Sequence, residues 1–259
     1  MNKFKKILRY SITIIKNPIS FFRLFKGMVI WFSDNPLLRL ANKHNTDKGF
    51  IGHGYVRIYD SFFNKKRKSI KHICEIGLLR FQKNKNTYSH MPSLKMWSTY
   101  FPNSKLVGFD IKDFNQPREK NCTFIKGDQS SRNDLKKITN TYPEYDIIIE
   151  DGLHAYRHQQ ISLSFLFSSI KPGGYFIIED LHANVEDPEA NYNTPKTIDL
   201  LKNLERTGKW ESPFAKMKEK KNIEDNVGAI YFFDSLRFNI GVKNTSDAIV
   251  FVMKKQNNE

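Results

Sequence analysis

The stretch Tyr145–Asp180, YDIIIEDGLHAYRHQQISLSFLFSSIKPGGYFIIED, decides the fold. It opens on YDIIIED (145–151), a continuous apolar run with no polar alternation, as expected of a strand covered on both faces. YRHQQISLSFLFSSI (156–170) predicts a helix that stops at Pro172 and the turn glycines Gly173 and Gly174. YFIIED (175–180) predicts the next strand. A strand, a crossover helix and a second buried strand make a parallel unit of an α/β sheet.

The same rhythm extends in both directions. Upstream, strands are expected at 70–77, 105–110 and 122–128, with helices at 93–101 and 131–138; downstream, a helix at 196–206 ends at Gly208, and strands follow at 227–234 and 247–254. A helix is expected over 55–63, because Tyr55, Tyr59 and Phe63 recur every four residues, whereas the polar stretch from Asn42 to Gly54 reads as a loop. The chain divides into a basic amphipathic helical extension (1–40), a covering segment (41–69) and an α/β domain (70–259). Its 259 residues suffice for one such domain and its appendage.

Charge is unevenly placed. The net charge is +15, and residues 1–36 hold seven Lys or Arg against one acid. With Phe21, Phe22, Phe25, Trp31 and Phe32 interspersed, this segment suits peripheral contact with an anionic membrane, or packing on its own domain or on a sister subunit. No apolar run approaches the ~20 residues that span a bilayer. No zinc-finger spacing, basic region with heptads or aromatic RNA-binding strand is present, so nucleic acid is not expected as a partner. Cys74 and Cys122 have no metal-like spacing, which is consistent with a reducing cytoplasm.

The first five strands end at or near Gly77, Asp110, Asp128, Asp151 and Asp180. Ligands of open α/β sheets bind at the carboxyl ends of the strands. Gly77 would admit a close backbone approach, and Glu75 could hold an ammonium or a hydroxyl. Asp110 is placed to accept both ribose hydroxyls of an adenosine cofactor, and Asp128-Gln129 could meet an adenine edge, unless Asp128 serves only as a helix cap. No Gly-x-Gly-x-x-Gly turn follows the first strand, since Gly77 leads into Leu78, Leu79 and Arg80. That disfavours a dinucleotide, whose pyrophosphate needs backbone donors, and favours S-adenosylmethionine, which has no phosphate.

Asp151, Glu179 and Asp180 end two adjacent strands. Carboxylates that close repel one another unless a cation intervenes, and hard oxygen donors with room for water suit magnesium. His154, three residues beyond Asp151, is the candidate general base; His158 and His182 stand nearby in sequence as partner or lining residues.

These residues resemble a known family. The blocks NTDKG (45–49), HGYVRIYDSFF (53–63), CEIG (74–77), LVGFDI (106–111), GDQS (127–130), YDIIIEDGLH (145–154), PGGYFIIEDL (172–181) and FFDS (232–235) are similar to those of the metal-dependent sugar O-methyltransferases of macrolide and related pathways, kin of the cephalosporin hydroxylase-like methyltransferases. The likeness runs over roughly residues 44–254. It implies a Rossmann-like methyltransferase fold, mostly parallel and doubly wound with an antiparallel last strand. It implies magnesium on Asp151, Glu179 and Asp180, His154 as base, and S-adenosylmethionine among Glu75, Gly77, Asp110, Asp128 and Gln129. Thr46, Lys48 and Tyr55 would fold over that cofactor. The acceptor would be a sugar or glycoconjugate and the protein a homo-oligomer. Leu78-Leu79-Arg80, Leu153 and the LHAN stretch (181–184) depart from the family pattern and imply a different acceptor. The rival readings are a nucleotide- or NAD-dependent sugar-modifying enzyme and a non-catalytic, membrane-associated protein on the same fold.

Overall fold

The computed structural model describes residues 35–49, 52–82, 87–183, 194–236 and 248–257. The expected helices before residue 34, and with them the membrane-contact reading, lie outside the described residues. Among the described residues no helix is long and apolar enough to cross a membrane.

The chain begins with helices α1 (Pro36–His44) and α2 (Val56–Phe63). There follow β1 (His72–Ile76), a hairpin of β2 (Leu79–Gln82) and β3 (Thr87–His90), α3 (Pro92–Tyr100), β4 (Lys105–Asp110) and β5 (Cys122–Lys126). Then come α4 (Arg132–Thr141), β6 (Tyr145–Glu150), α5 (Tyr156–Leu166), β7 (Ile170–Ile178), α6 (Thr197–Thr207), α7 (Met217–Asn226), β8 (Val227–Phe233) and β9 (Ile249–Lys254). Seven strands form one sheet in the order β5-β4-β1-β6-β7-β9-β8, in which β9 alone runs against the others. This is the Rossmann-like methyltransferase fold, with the antiparallel strand inserted next to the last.

Pleating sorts the side chains. Ile73, Leu106, Ile147, Ile149 and Ile177 enter a core with residues of α1, α2 and α3. Their strand neighbours Cys74, Val107, Ile148 and Ile178 enter a second core with residues of α4, α5 and α6. That period-two division explains why DIIIE shows no polar alternation: both faces are covered. The edge strands β5 and β8 are only intermittently buried.

Four local features differ from the sequence reading. Pro36–His44 is helical where a loop was expected to start nearby, because Asn35 caps its first turn by accepting from the Leu38 amide at 2.8 Å and Pro36 occupies the first helical position. The helix therefore crosses residue 40. The hairpin β2–β3 and helix α7 were not expected. Strand β7 begins at Ile170, not at Tyr175: Ile170 pairs with Tyr145, the register slips over Lys171–Gly174, and pairing resumes at Tyr175 opposite Ile147. Pro172 and Gly173, at φ +73°, thus form a bulge within the strand.

Candidate active site

Two sets of acids gather at the carboxyl edge of the sheet. The first lines a cleft of about 300 Å³ whose walls include Gly77, Asp110, Ile111, Asp128, Gln129 and Leu153. Asp110 is held by backbone donors: its Oδ2 accepts from the Leu78 amide at 2.7 Å and its Oδ1 from the Lys112 amide at 2.8 Å. Asp128 Oδ1 accepts from the Ser130 amide at 2.8 Å, while Ser131 caps α4. Gln129 holds the turn after β6, donating to Glu150 Oε1 at 2.9 Å and accepting from the Leu153 amide at 3.3 Å.

Gly77 has φ +87°, and a Cβ there would lie 1.9 Å from the carbonyl oxygen of Asp151. The close approach that requires glycine is made by the chain's own turn after β6. Leu78 explains why no glycine-rich turn follows. Its side chain is 2% exposed and occupies the space over Gly108, where a Cβ would come within 2.8 Å of it.

The second set is a buried carboxylate cluster. The alternation that puts Ile73, Ile149 and Ile177 in one core puts Glu75 and Glu179 on that same face, and Asp151 keeps to it beyond β6. There they meet Lys48, which arrives between α1 and α2. Its Nζ donates to Asp151 Oδ2 at 2.5 Å and Glu179 Oε2 at 2.7 Å, and lies 3.7 Å from Glu75 Oε1. Tyr55 and Tyr59, one helical turn apart, donate to consecutive carboxylates: Tyr55 to Asp180 Oδ1 at 2.7 Å and Tyr59 to Glu179 Oε1 at 2.6 Å. His53 Nδ1 lies 3.3 Å from the same Asp180 oxygen and its ring stacks on Tyr55.

Burial pushes Glu75 up to about 7, with Lys48 opposing. Burial likewise raises Asp151 and Glu179, against Lys48. Burial alone would lower Lys48, but Asp151, Glu179 and Glu75 hold it well above its ordinary range, so it is a fixed cation. Glu150, on the opposite face and accepting from Gln129 and the Gly152 amide, is raised to about 7 by burial, with His154 opposing.

Besides the contacts to Lys48, Tyr55 and Tyr59, the structure brings the expected site residues Asp151, His154 and Asp180 together: their ligand atoms lie within 4.8 Å of one another. His154 at φ +62° and Asp180 at φ +52° both occupy the left-handed region, a cost that a rigid surround must carry. Glu179 stands apart from that trio, turned inward with both oxygens bonded. Thr46 is a turn residue that accepts from the Lys48 amide at 3.2 Å, and Thr46, Lys48 and Tyr55 do not line the cleft. His158 lines it; His182 is exposed. The carboxylates suit a hard divalent cation, the imidazole beside them suits a proton acceptor, and a cleft ending in Asp110 without a phosphate-binding turn suits an adenosine lacking pyrophosphate.

No protein-family model matches the chain. It is 28% identical over 215 residues to mycinamicin VI 2''-O-methyltransferase of Micromonospora griseorubida, covering 78% of this chain and 51% of that protein. It is 32% identical over 143 residues to a tetracenomycin rhamnosyl 3'-O-methyltransferase of Streptomyces olivaceus, covering 55% of this chain and 36% of that one. The chain therefore spans about half or less of these relatives' lengths. The structure of the MycE methyltransferase of mycinamycin biosynthesis, in complex with Mg, SAH and mycinamycin VI, superposes with a TM-score of 0.66 at 26% identity, over 88% of this chain and 57% of that one. By sequence and by fold, the chain is similar to these sugar O-methyltransferases.

Proposed function

We propose that the chain is an S-adenosylmethionine-dependent, magnesium-dependent O-methyltransferase acting on a hydroxyl of a sugar or glycoconjugate. The observation that carries this reading is one juxtaposition: the cleft ending in Asp110 and Asp128 abuts the Asp151–His154–Asp180 trio, sharing Asp151 as a wall. Asp110 would hold the ribose, and Ile111 and Leu153 would cover the adenine. Asp151 and Asp180 would hold magnesium, whose chemistry is to polarise the acceptor hydroxyl and orient it. His154 Nε2 lies 3.8 Å from Asp180 Oδ2, beyond hydrogen-bond distance, and is kept for the hydroxyl proton.

Methyl transfer from labelled S-adenosylmethionine to a panel of rhamnosides and other glycosides, with and without EDTA, tests the proposal. Metal-dependent labelling of a sugar hydroxyl is expected; a chain that neither binds S-adenosylmethionine in titration nor labels any glycoside sinks it. We further place the protein in the cytoplasm as a homo-oligomer, with residues 1–36 against an anionic membrane face. The basic and aromatic content of that segment supports the contact. Loss of flotation with anionic vesicles on deleting residues 1–34 is the expected result.

A further inference from the structure

Asp128 and Gln129 wall the cleft, and just beyond them in sequence Arg132 walls a second cavity, of about 350 Å³, that shares no lining residue with the first. It lies between the first turn of α4, the end of α5 and the first turns of α7. Its charges are lopsided. Arg132, Lys136, Lys216 and Lys218 line it against one acid, Glu219, among the described residues. That acid is already spent: Oε1 accepts from Arg132 Nε at 2.7 Å, and Oε2 accepts from Arg132 Nη2 and from the Lys216 amide, each at 2.7 Å. Arg132 Nη2 also donates to the Phe214 carbonyl at 2.6 Å, so the guanidinium is held in place with its Nη1 left over. Asn222, on the same wall, has an Nδ2 that is shut off from water and meets no acceptor.

The placing of these cations breaks a local rule. Lys216 is the N-cap of α7 and Lys218 stands in its first turn, while Arg132 opens α4. A lysine side chain has no acceptor with which to cap a helix, and the positive end of the helix dipole repels it. Four cations at two such ends destabilise the fold unless an anion joins them, and what the wall has to spare is donors. One phosphate monoester would offset the excess of cations only in part; a diphosphate offers more charge and more acceptor oxygens.

We propose that this cavity binds the diphosphate group of a soluble phosphate ester, with Arg132 as its fixed fork and Lys136, Lys216 and Lys218 as its mobile charges. The site stands independently of the methyl-transfer reading, because none of these donors lines the cleft.

Pyrophosphate is the probe, titrated calorimetrically into the full chain in buffer free of divalent ions. Saturable binding that weakens as salt rises is expected. The triple variant Lys136→Gln/Lys216→Gln/Lys218→Gln removes three exposed ammoniums and should lose on the order of thirtyfold in affinity. It should melt no lower than the native chain, because these cations repel one another. Lys137→Gln is the control. Lys137 carries the same charge one residue away, but it pairs with Asp134 at 2.6 Å and stays off the wall. That variant should remain within about twofold of native affinity. A triple variant with native affinity overturns the proposal, as does a Lys137→Gln chain that loses as much, or a native chain that takes up no pyrophosphate at concentrations on the order of 10 mM. If the triple variant fails to fold, Lys136→Gln measured against Lys137→Gln decides. Uridine diphosphate and phosphatidylcholine vesicles carrying phosphatidic acid are then added as competitors. Displacement by uridine diphosphate supports the soluble ester; displacement by the vesicles alone overturns that assignment in favour of a lipid headgroup.

Discussion

The two sets of acids at the sheet edge are built in opposite ways. In the cleft, Asp110 and Asp128 are held by backbone amides two residues ahead or by the adjoining strand turn, so their geometry is secured locally. In the cluster, Asp151, Glu179 and Asp180 are held by side chains of Lys48, Tyr59 and Tyr55, more than a hundred residues away in sequence. Neutral amides orient a carboxylate near water without cancelling its charge; buried carboxylates need a full countercharge. The cleft is therefore preformed by the α/β domain itself, and the cluster depends on the covering segment being docked.

If the two regions are separable in function, His154→Ala gives the largest effect. Turnover should fall by about 10²–10⁴-fold through loss of the base, while the affinity for S-adenosylmethionine, measured by titration calorimetry, stays native. Equal loss of both would mean that His154 supports the cleft and that the separation fails.

The next effect sharpens the contrast between an acid beside Lys48 and one away from it. Glu150 and Glu75 both have carboxyls raised by burial to about 7, but only Glu75 has Lys48 beside it. A carboxyl that titrates near 4.5 unfolded and near 7 folded destabilises the fold fully above pH 7, and the penalty fades as the pH falls to 4.5. Glu150→Gln should therefore raise stability by about 3 kcal/mol at pH 8 and by less than about 1 kcal/mol at pH 5, in denaturant titrations at the two pH values. A gain equal at both would show that the Glu150 carboxyl is not raised by the fold and that the gain comes from packing alone.

Much of this was legible in the sequence because strand chemistry is local. The continuous apolar runs gave the strand positions to within a few residues, and the acids ending them marked the ligand edge. Glu179 and Asp180, neighbours in sequence, have different hydrogen-bond partners in the structure. Adjacent residues at a strand end leave on opposite faces, and that parity, available from Ile177 and Ile178, separates the two carboxylates. The same parity puts Glu75, Asp151 and Glu179 together and calls for a buried cation, although nothing local singles out Lys48 as its source. The β2–β3 hairpin and α7 gave little periodic signal: α7 buries only Ile223, and its first turn rests on the Glu219 carboxylate accepting from the Lys216 amide. The bulge in β7 was hidden because Pro172-Gly173-Gly174 reads as a turn.

Asp110→Asn tests whether the cleft is secured by its own backbone. The amide retains one acceptor, but its nitrogen faces the Leu78 or the Lys112 N–H, leaving a donor unpaired. We expect a loss of about 1–2 kcal/mol in denaturant unfolding and about tenfold in S-adenosylmethionine affinity, with manganese affinity unchanged. A parallel loss of manganese binding would tie the two regions together.

The smallest effect concerns the apolar lip of the cleft. Leu153 is 42% exposed and Ile111 59%, unusual for large aliphatic side chains, and both line the same opening. Neither adds much to the folded state while so exposed, but each would lose water when a planar ring slides between them. Leu153→Ser removes most of that apolar area. Its amide contact to Gln129 uses the backbone and survives the change. Melting should therefore stay native while affinity for S-adenosylmethionine falls by about fivefold, the equivalent of about 1 kcal/mol of apolar burial. A change in melting temperature with no change in affinity would mean that Leu153 packs on the chain and not on the cofactor, and that the lip belongs to the fold's architecture.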